Sequence, residues 1–161
     1  MYLHMHTKSS PRFTLFLGKK IMSIDYGEKY VGLATFIPGN DPYPLGFGRI
    51  KFIGQKKLIC DLTNYVSSEA VDILVLGIPR LLDGKETGAT EKIKKFGELL
   101  KSSVPNVLVY FQDETLSTFD AKDRMKNSPE FNFKVSMDKI DMVSAVIILE
   151  DFIADKNPLN M

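Results

Sequence analysis

The chain has 161 residues, of which 44% are hydrophobic, which fits one domain with a real core and excludes a globally disordered chain. Its single cysteine, Cys60, excludes an internal disulfide and favours a reducing cytoplasm, and no apolar run reaches the roughly 18 to 20 residues that span a bilayer. The net charge is +1, and residues 1–24 carry four basic side chains and no acid, so the rest of the chain is slightly acidic. A protein that binds nucleic acid by bulk charge alone is usually clearly basic, which this chain is not.

Residues 1–18 differ from the rest of the chain. They contain no acid and show no clean periodicity, which predicts a disordered extension. The alternative is a leader-like segment, although a proper apolar region and a cleavage site are missing. We therefore expect the folded domain to cover residues 19–155.

Three strands are predicted next, over Lys19–Asp25, Lys29–Phe36 and Leu45–Phe52. The segment Asp25-Tyr26-Gly27-Glu28 is typical of a turn between the first two. Since the connections are short, these three strands should pair in an antiparallel meander.

The pattern then alternates between helices and strands. Buried-type strands are predicted over Val71–Leu76 and Val107–Phe111. Apolar residues predict helices over Gln55–Ser68, Ala89–Lys101 and Asp138–Ile153. A cap at Ser117 or Thr118 predicts a short helix that runs to about Lys126. Strand–helix–strand units require parallel neighbours, so the sequence predicts an α/β fold in which a mixed five-stranded sheet carries helices on both faces.

Acidic residues stand at the ends of three predicted elements. Asp25 closes the first strand, Asp113 and Glu114 follow the last strand, and Asp138 and Asp141 open the last helix. Acids at the ends of the first and fifth strands can converge on one edge of such a sheet, and convergent carboxylates suit Mg²⁺. Taken singly, each acid also fits an ordinary role in a turn, in the first turn of a helix or at the surface.

Four segments resemble the motifs of the YqgF-type, or RuvX-like, family of nucleases. They occur in the family's order and spacing: Ile21–Ala34, Leu76–Pro79 followed by Asp83-Gly84 and Gly88, Gln112–Thr118, and Lys139–Glu150. The resemblance implies a ribonuclease H-like fold. It also implies one of two activities ascribed to the family, maturation of the small-subunit ribosomal RNA precursor or resolution of Holliday junctions.

Position by position, the resemblance implies that Asp25, Glu114 and Asp141 are the catalytic acids and the ligands of Mg²⁺ or Mn²⁺. Asp113 and Asp138 are then neighbours of the site. Family members usually carry arginine where this chain has Tyr30 and Thr115.

Basic residues near these motifs are candidates for phosphate binding. Lys29 partly substitutes for the first missing arginine, and Lys122 is the available cation near the second. Arg80 and Lys85 lie in a loop that precedes a helix, where backbone N–H groups also bind phosphate. With Gly27 of the Asp-x-Gly turn, these residues form the predicted substrate-binding set.

The sequence-based hypothesis is a metal-dependent nuclease that acts on structured nucleic acid, foremost in 5′ maturation of pre-16S ribosomal RNA. The alternatives are a Holliday junction resolvase and a catalytically weak nucleic-acid-binding module. A resolvase requires a homodimer, whereas a monomer favours RNA processing. A phosphotransferase of the actin and sugar-kinase type is disfavoured because the chain has room for only one of the two lobes that those enzymes close on a nucleotide.

Overall fold

The computed structural model describes residues 10–79, 85–114 and 117–155. Within these ranges the strands are β1 (Ile21–Asp25), β2 (Tyr30–Phe36), β3 (Leu45–Lys51), β4 (Ile73–Ile78) and β5 (Leu108–Asp113). The helices are α1 (Pro11–Leu15), α2 (Gln55–Ser68), α3 (Gly88–Ser103), α4 (Ser117–Lys126) and α5 (Ile140–Ile153), and a 3₁₀ turn covers Pro129–Phe131. From β1 onward the main elements follow the predicted order, whereas α1 and the 3₁₀ turn were not predicted.

The five strands form one sheet in the order β3-β2-β1-β4-β5. β1 runs antiparallel to β2 and parallel to β4, and β2 and β3 are also antiparallel. The predicted mixed sheet is thereby confirmed. β1 lies at its centre because the meander extends the sheet on one side and the two parallel crossovers extend it on the other.

Helices cover both faces of the sheet, as predicted. Alternate residues of each strand face opposite layers, so Met22 and Ile24 belong to one core cluster and Ile21 to the other. The first cluster packs under α2 and α3, whereas the second packs under α5. α5 is apolar almost all round because it lies between the sheet and α4. Among the described residues, no helix is long and apolar enough to cross a membrane.

The segment ahead of β1 differs from the predicted disordered extension. Ser10 caps α1 by accepting a hydrogen bond from the Phe13 N–H, and its hydroxyl donates to the Ile153 carbonyl. Phe16 is buried and stacks on Phe152 at a centroid distance of 5.8 Å. The expectation of disorder is therefore wrong for residues 10–18, which pack on the C-terminal end of α5; residues 1–9 lie outside the described part of the chain. A five-residue helix leaves too short a pattern for periodicity to reveal.

Candidate active site

A row of residues crosses the sheet beneath the first turn of α5. Asp25, the last residue of β1, pairs with Gly32 of β2, and Gly32 pairs with Arg49 of β3. Because directly opposed residues project to the same face, Asp25 and Arg49 both face the layer that contains α5. On the other side, Ile24 pairs with Leu76, so Asp25 lies alongside Gly77 of β4.

Gly32 allows α5 to approach the sheet closely enough to bring Asp141 to this row. A Cβ atom on Gly32 would lie 1.9 Å from the backbone carbonyl oxygen of Asp141. The helix is also held by Ser23, whose hydroxyl donates to the Ala145 carbonyl at 2.6 Å. A side chain at position 32 would therefore separate the first turn of α5 from the strand that ends in Asp25.

Gly77 provides a similar space for Glu114. The backbone N–H of Glu114 donates to the Ile78 carbonyl at 3.0 Å, which extends the β4–β5 pairing one residue beyond β5. A Cβ atom on Gly77 would lie 2.8 Å from Oε2 of Glu114. The Glu114 side chain thus extends over Gly77, the residue alongside Asp25.

The structure brings the carboxyl groups of Asp25 and Glu114 into a hydrogen-bonded pair. Burial raises the pKa of Asp25 to about 6, a hydrogen bond from Glu114 partly opposes this, and the negative charge of Asp141 raises it further. Two carboxyl groups can hydrogen-bond to each other only when one of them carries a proton, so the metal-free pair shares a proton below about pH 6. The three acids singled out from the sequence therefore interact.

Asp141 differs from Asp25 in having a cation nearby. Burial raises the pKa of Asp141, whereas the charge of Arg49 and a hydrogen bond from the residue's own backbone oppose that rise. Arg49 was missed by sequence reasoning, and strict alternation along β3 provides no signal for it. Its guanidinium lies over the ring of Tyr30, with the central carbon 3.7 Å from the ring centroid.

A pocket of about 460 Å³ opens beside Asp141. Its lining comprises Gly27, Glu28, Lys29, Tyr30, Arg49, Met137, Asp138, Ile140 and Asp141. Two residues of the predicted substrate-binding set, Gly27 and Lys29, thus lie in the same pocket as Asp141. Gly27 is needed for the tight turn, because a Cβ atom there would lie 2.3 Å from the Tyr30 carbonyl oxygen. Asp138 is exposed, and a hydrogen bond from the Ser136 hydroxyl lowers its pKa.

The other predicted substrate-binding residues lie away from this pocket or outside the described residues. Lys85 and Lys122 are both exposed, and neither lines the pocket. Arg80 falls in the segment 80–84, outside the described part of the chain. A role for these three residues remains a prediction.

The donor chemistry of the three acids fits a hard divalent cation. Among the described residues, no three or more His, Cys, Asp and Glu side chains are grouped so that they could hold a metal ion by themselves. Mg²⁺ does not require such a group, because it keeps several waters and binds through one or two carboxylates together with substrate phosphates. The Asp25–Glu114 pair supplies oxygen donors, and a bound cation would stabilise the ionised form of Asp25, which burial and the charge of Asp141 disfavour.

Comparison with known proteins identifies relatives over most of the chain. The family model described as "RuvX: Holliday junction resolvase" matches residues 19–155. A protein from Nitratidesulfovibrio vulgaris (strain DP4), named "Putative pre-16S rRNA nuclease", is 33% identical over 137 residues, which cover 84% of this chain and 93% of the relative. A relative of the same name from Clostridioides difficile (strain 630) is 34% identical over 140 residues, covering 85% and 95% of the two chains.

Solved structures show the same fold at low sequence identity. Thermus thermophilus RuvC in complex with a Holliday junction substrate aligns with a TM-score of 0.55 at 8% identity and covers 87% of this chain and 96% of its own. The yeast mitochondrial Holliday junction resolvase aligns with a TM-score of 0.55 at 10% identity and covers 95% and 91%. These resemblances confirm the predicted ribonuclease H-like architecture.

Proposed function

Because the chain belongs to the RuvX family, we propose that it is a metal-dependent nuclease that hydrolyses phosphodiester bonds in structured nucleic acid. The observation that carries the proposal is the convergence of three acids: Glu114 extends over Gly77 to hydrogen-bond Asp25, and the negative charge of Asp141 acts on Asp25. Desolvation and the charge of Asp141 both disfavour the ionised form of Asp25, so a cation bound at this half-buried pair would stabilise the ionised carboxylates. The nuclease domain in this proposal comprises residues 19–155.

Asp25, Glu114 and Asp141 would hold Mg²⁺ or Mn²⁺. A divalent cation held there would supply positive charge able to polarise a phosphate, to lower the pKa of a water and to stabilise a leaving oxygen. The contribution of the protein is to place three oxygen donors on separate rigid elements. β1 supplies Asp25, the residue after β5 supplies Glu114, and the first turn of α5 supplies Asp141.

The basic residues then bind the substrate backbone. Lys29 is exposed and lines the same pocket as Asp141, which supports a contact between Lys29 and phosphates on that side. Arg80, Lys85 and Lys122 would contact phosphates farther from the acids. The backbone at Gly27 can approach the substrate closely because no side chain intervenes.

The RNA substrate is favoured by the relatives, which are named for pre-16S rRNA. We propose 5′ maturation of this precursor as the reaction, and the cytoplasm as its place because the single cysteine suits a reducing compartment. The family description favours a second candidate, resolution of four-way DNA junctions. Symmetric cleavage of a junction needs two copies of the site, so the second candidate requires a homodimer.

The test compares both substrates in one assay. The purified full-length chain is incubated with end-labelled 16S precursor RNA or with a labelled four-way DNA junction, in Mg²⁺, Mn²⁺ or EDTA. We expect metal-dependent cleavage of the RNA by the wild type. Replacement of Asp25 or Asp141 by asparagine should lower the cleavage rate by about 10²-fold or more, since each removes charge that stabilises the transition state through the metal.

Asp138→Asn is the matched control, because Asp138 is an exposed acid that lines the same pocket but is placed outside the metal-binding set. It should retain most of the activity. Persistent cleavage by Asp25→Asn would contradict the assignment of the site. A wild-type protein that binds but cleaves neither substrate would contradict the nuclease proposal and indicate a binding module.

A further inference from the structure

An irregularity in β3 turns Arg49 toward the acidic face of the sheet. Gly46 faces α5, where a Cβ atom would lie 2.6 Å from the sulfur of Met142. Residues three apart on a regular strand face opposite sides, which would direct Arg49 away from the acids. However, consecutive residues of β2 pair with Gly48 and Gly46, so Phe47 is an extra residue in the ladder. This bulge restores Arg49 to the face that contains α5.

The Tyr30 ring stacks on one face of the Arg49 guanidinium. The central guanidinium carbon lies 3.7 Å from the ring centroid, well within the range of a cation–π contact. The N–H groups of a guanidinium lie in its plane, so a ring stacked on one face leaves the N–H edges able to donate. Tyr30 orients the guanidinium without occupying its hydrogen-bond donors.

The surroundings of Arg49 contain charges of both signs. Lys29 lies in the same pocket, together with Glu28, Asp138 and Asp141. None of the ion pairs found in the described part of the chain involves Arg49. Its charge nevertheless lowers the pKa of Asp138 and opposes the rise in the pKa of Asp141. Arg49 is thus an exposed, oriented cation at the border of the acidic site.

We propose that Arg49, oriented by Tyr30, binds a backbone phosphate of the nucleic-acid substrate. This phosphate flanks the scissile one, which would lie at the cation held by Asp25 and Glu114. Arg49 lies two strands from Asp25 in the row across the sheet, a separation of about 10 Å at the usual strand spacing. The planar guanidinium can pair two N–H groups with two phosphate oxygens. This inference rests on the proposed function for its substrate class.

Binding without cleavage tests the inference separately from catalysis. The affinity of the full-length protein for a fluorescein-labelled 16S precursor fragment is measured by anisotropy in EDTA, over a series of KCl concentrations. Each phosphate contact contributes a slope of about 0.7 to 0.9 to the fall of log K with log salt. We expect Arg49→Ala to lower the slope by about that amount. Lys56→Ala is the control, because Lys56 is an exposed cation on α2, which packs on the opposite face.

Three further variants separate orientation from charge. Arg49→Lys should retain the slope but bind more weakly, because an ammonium cannot form the two-point contact. Tyr30→Leu should also weaken binding with the slope retained, whereas Tyr30→Phe should bind as the wild type does. The inference would be overturned if Arg49→Ala left the slope unchanged, or if Lys56→Ala lowered the slope by the same amount. An absence of wild-type binding would also overturn it. Wild-type binding without cleavage in Mg²⁺ or Mn²⁺ would instead reject the proposed function and leave the Arg49 contact standing.

Discussion

The substitution Gly32→Ala should displace the first turn of α5 and thereby separate Asp141 from Asp25. The added Cβ would lie 1.9 Å from the Asp141 carbonyl oxygen and 2.3 Å from its carbonyl carbon, whereas real Cβ contacts essentially never fall below 3.0 Å. The backbone of the helix must therefore withdraw by about 1.1 Å, the difference between 3.0 and 1.9 Å. A misplacement of about 1 Å can lower an enzymatic rate by about 10²-fold.

The same displacement should also destabilise the fold. Overpacking a core typically costs about 1 to 3 kcal/mol, and we expect the upper end because the atoms that clash belong to backbone rather than to a flexible side chain. For a domain of this size about 3 kcal/mol corresponds to a fall in Tm of roughly 6 to 12 °C. Thermal unfolding followed by circular dichroism, together with the cleavage assay in Mn²⁺, measures both effects.

Gly46→Ala is a matched control for this prediction. Gly46 also lies under α5, but its added Cβ would meet only atoms of the flexible Met142 side chain, at 2.6 to 3.0 Å. We expect a smaller fall in Tm and nearly unchanged cleavage, because Met142 can adopt another rotamer. The reasoning would be refuted if Gly32→Ala melted and cleaved like the wild type, or if the two alanine variants lost the same activity.

Three other predictions follow from the geometry. Since the folded state raises the pKa of Asp25 from 3.8 to about 6, metal-free protein should lose stability, by about 2 kcal/mol, as pH rises from about 4 to above 6. Urea unfolding in EDTA should show this slope for the wild type and lose it in Asp25→Asn. Phe16→Ala should destabilise the fold by about 3 to 5 kcal/mol, because Phe16 is 6% exposed and packs on Phe152. An unchanged midpoint of urea unfolding would mean that the segment before β1 does not contribute to stability. Arg124→Ala should lower the free energy of unfolding by about 2 kcal/mol, because the buried Glu150 carboxylate then loses both of its hydrogen bonds from Arg124. Adding Glu150→Gln to this variant should recover part of the loss, as measured by urea unfolding.

Sequence reasoning placed the three acids at the ends of elements, where the structure also has them, because the ends of elements depend on local pattern. Asp25 follows a short apolar strand, Glu114 follows another, and Asp141 opens an apolar helix, and these boundaries can be read from periodicity. The order of strands and helices then restricts the topology to few possibilities, one of which gathers these ends on one edge. The resemblance to a known family selected among the acids. Their catalytic roles stay a prediction until variants are assayed.

The surroundings of the acids depended on tertiary contacts that no local pattern reports. A one-residue bulge inverts the direction of Arg49, and periodicity cannot reveal it because the bulge is an interruption of the period. The packing of residues 10–18 against the end of α5 joins segments more than 130 positions apart, as in the hydrogen bond from Ser10 to Ile153.

The sequence by itself determined the order of the main elements from β1 onward and the mixed sheet, and it placed acids at the ends of three elements, because each of these follows from hydrophobic period and from the ends of elements. Only the tertiary structure decided how closely the acids approach, since this depends on missing Cβ atoms at Gly32 and Gly77, and which cation faces them. The physical reason is one of range. Secondary structure is set by neighbours along the chain, whereas the shared proton of Asp25 and Glu114 depends on differences of about 1 Å between elements distant in sequence.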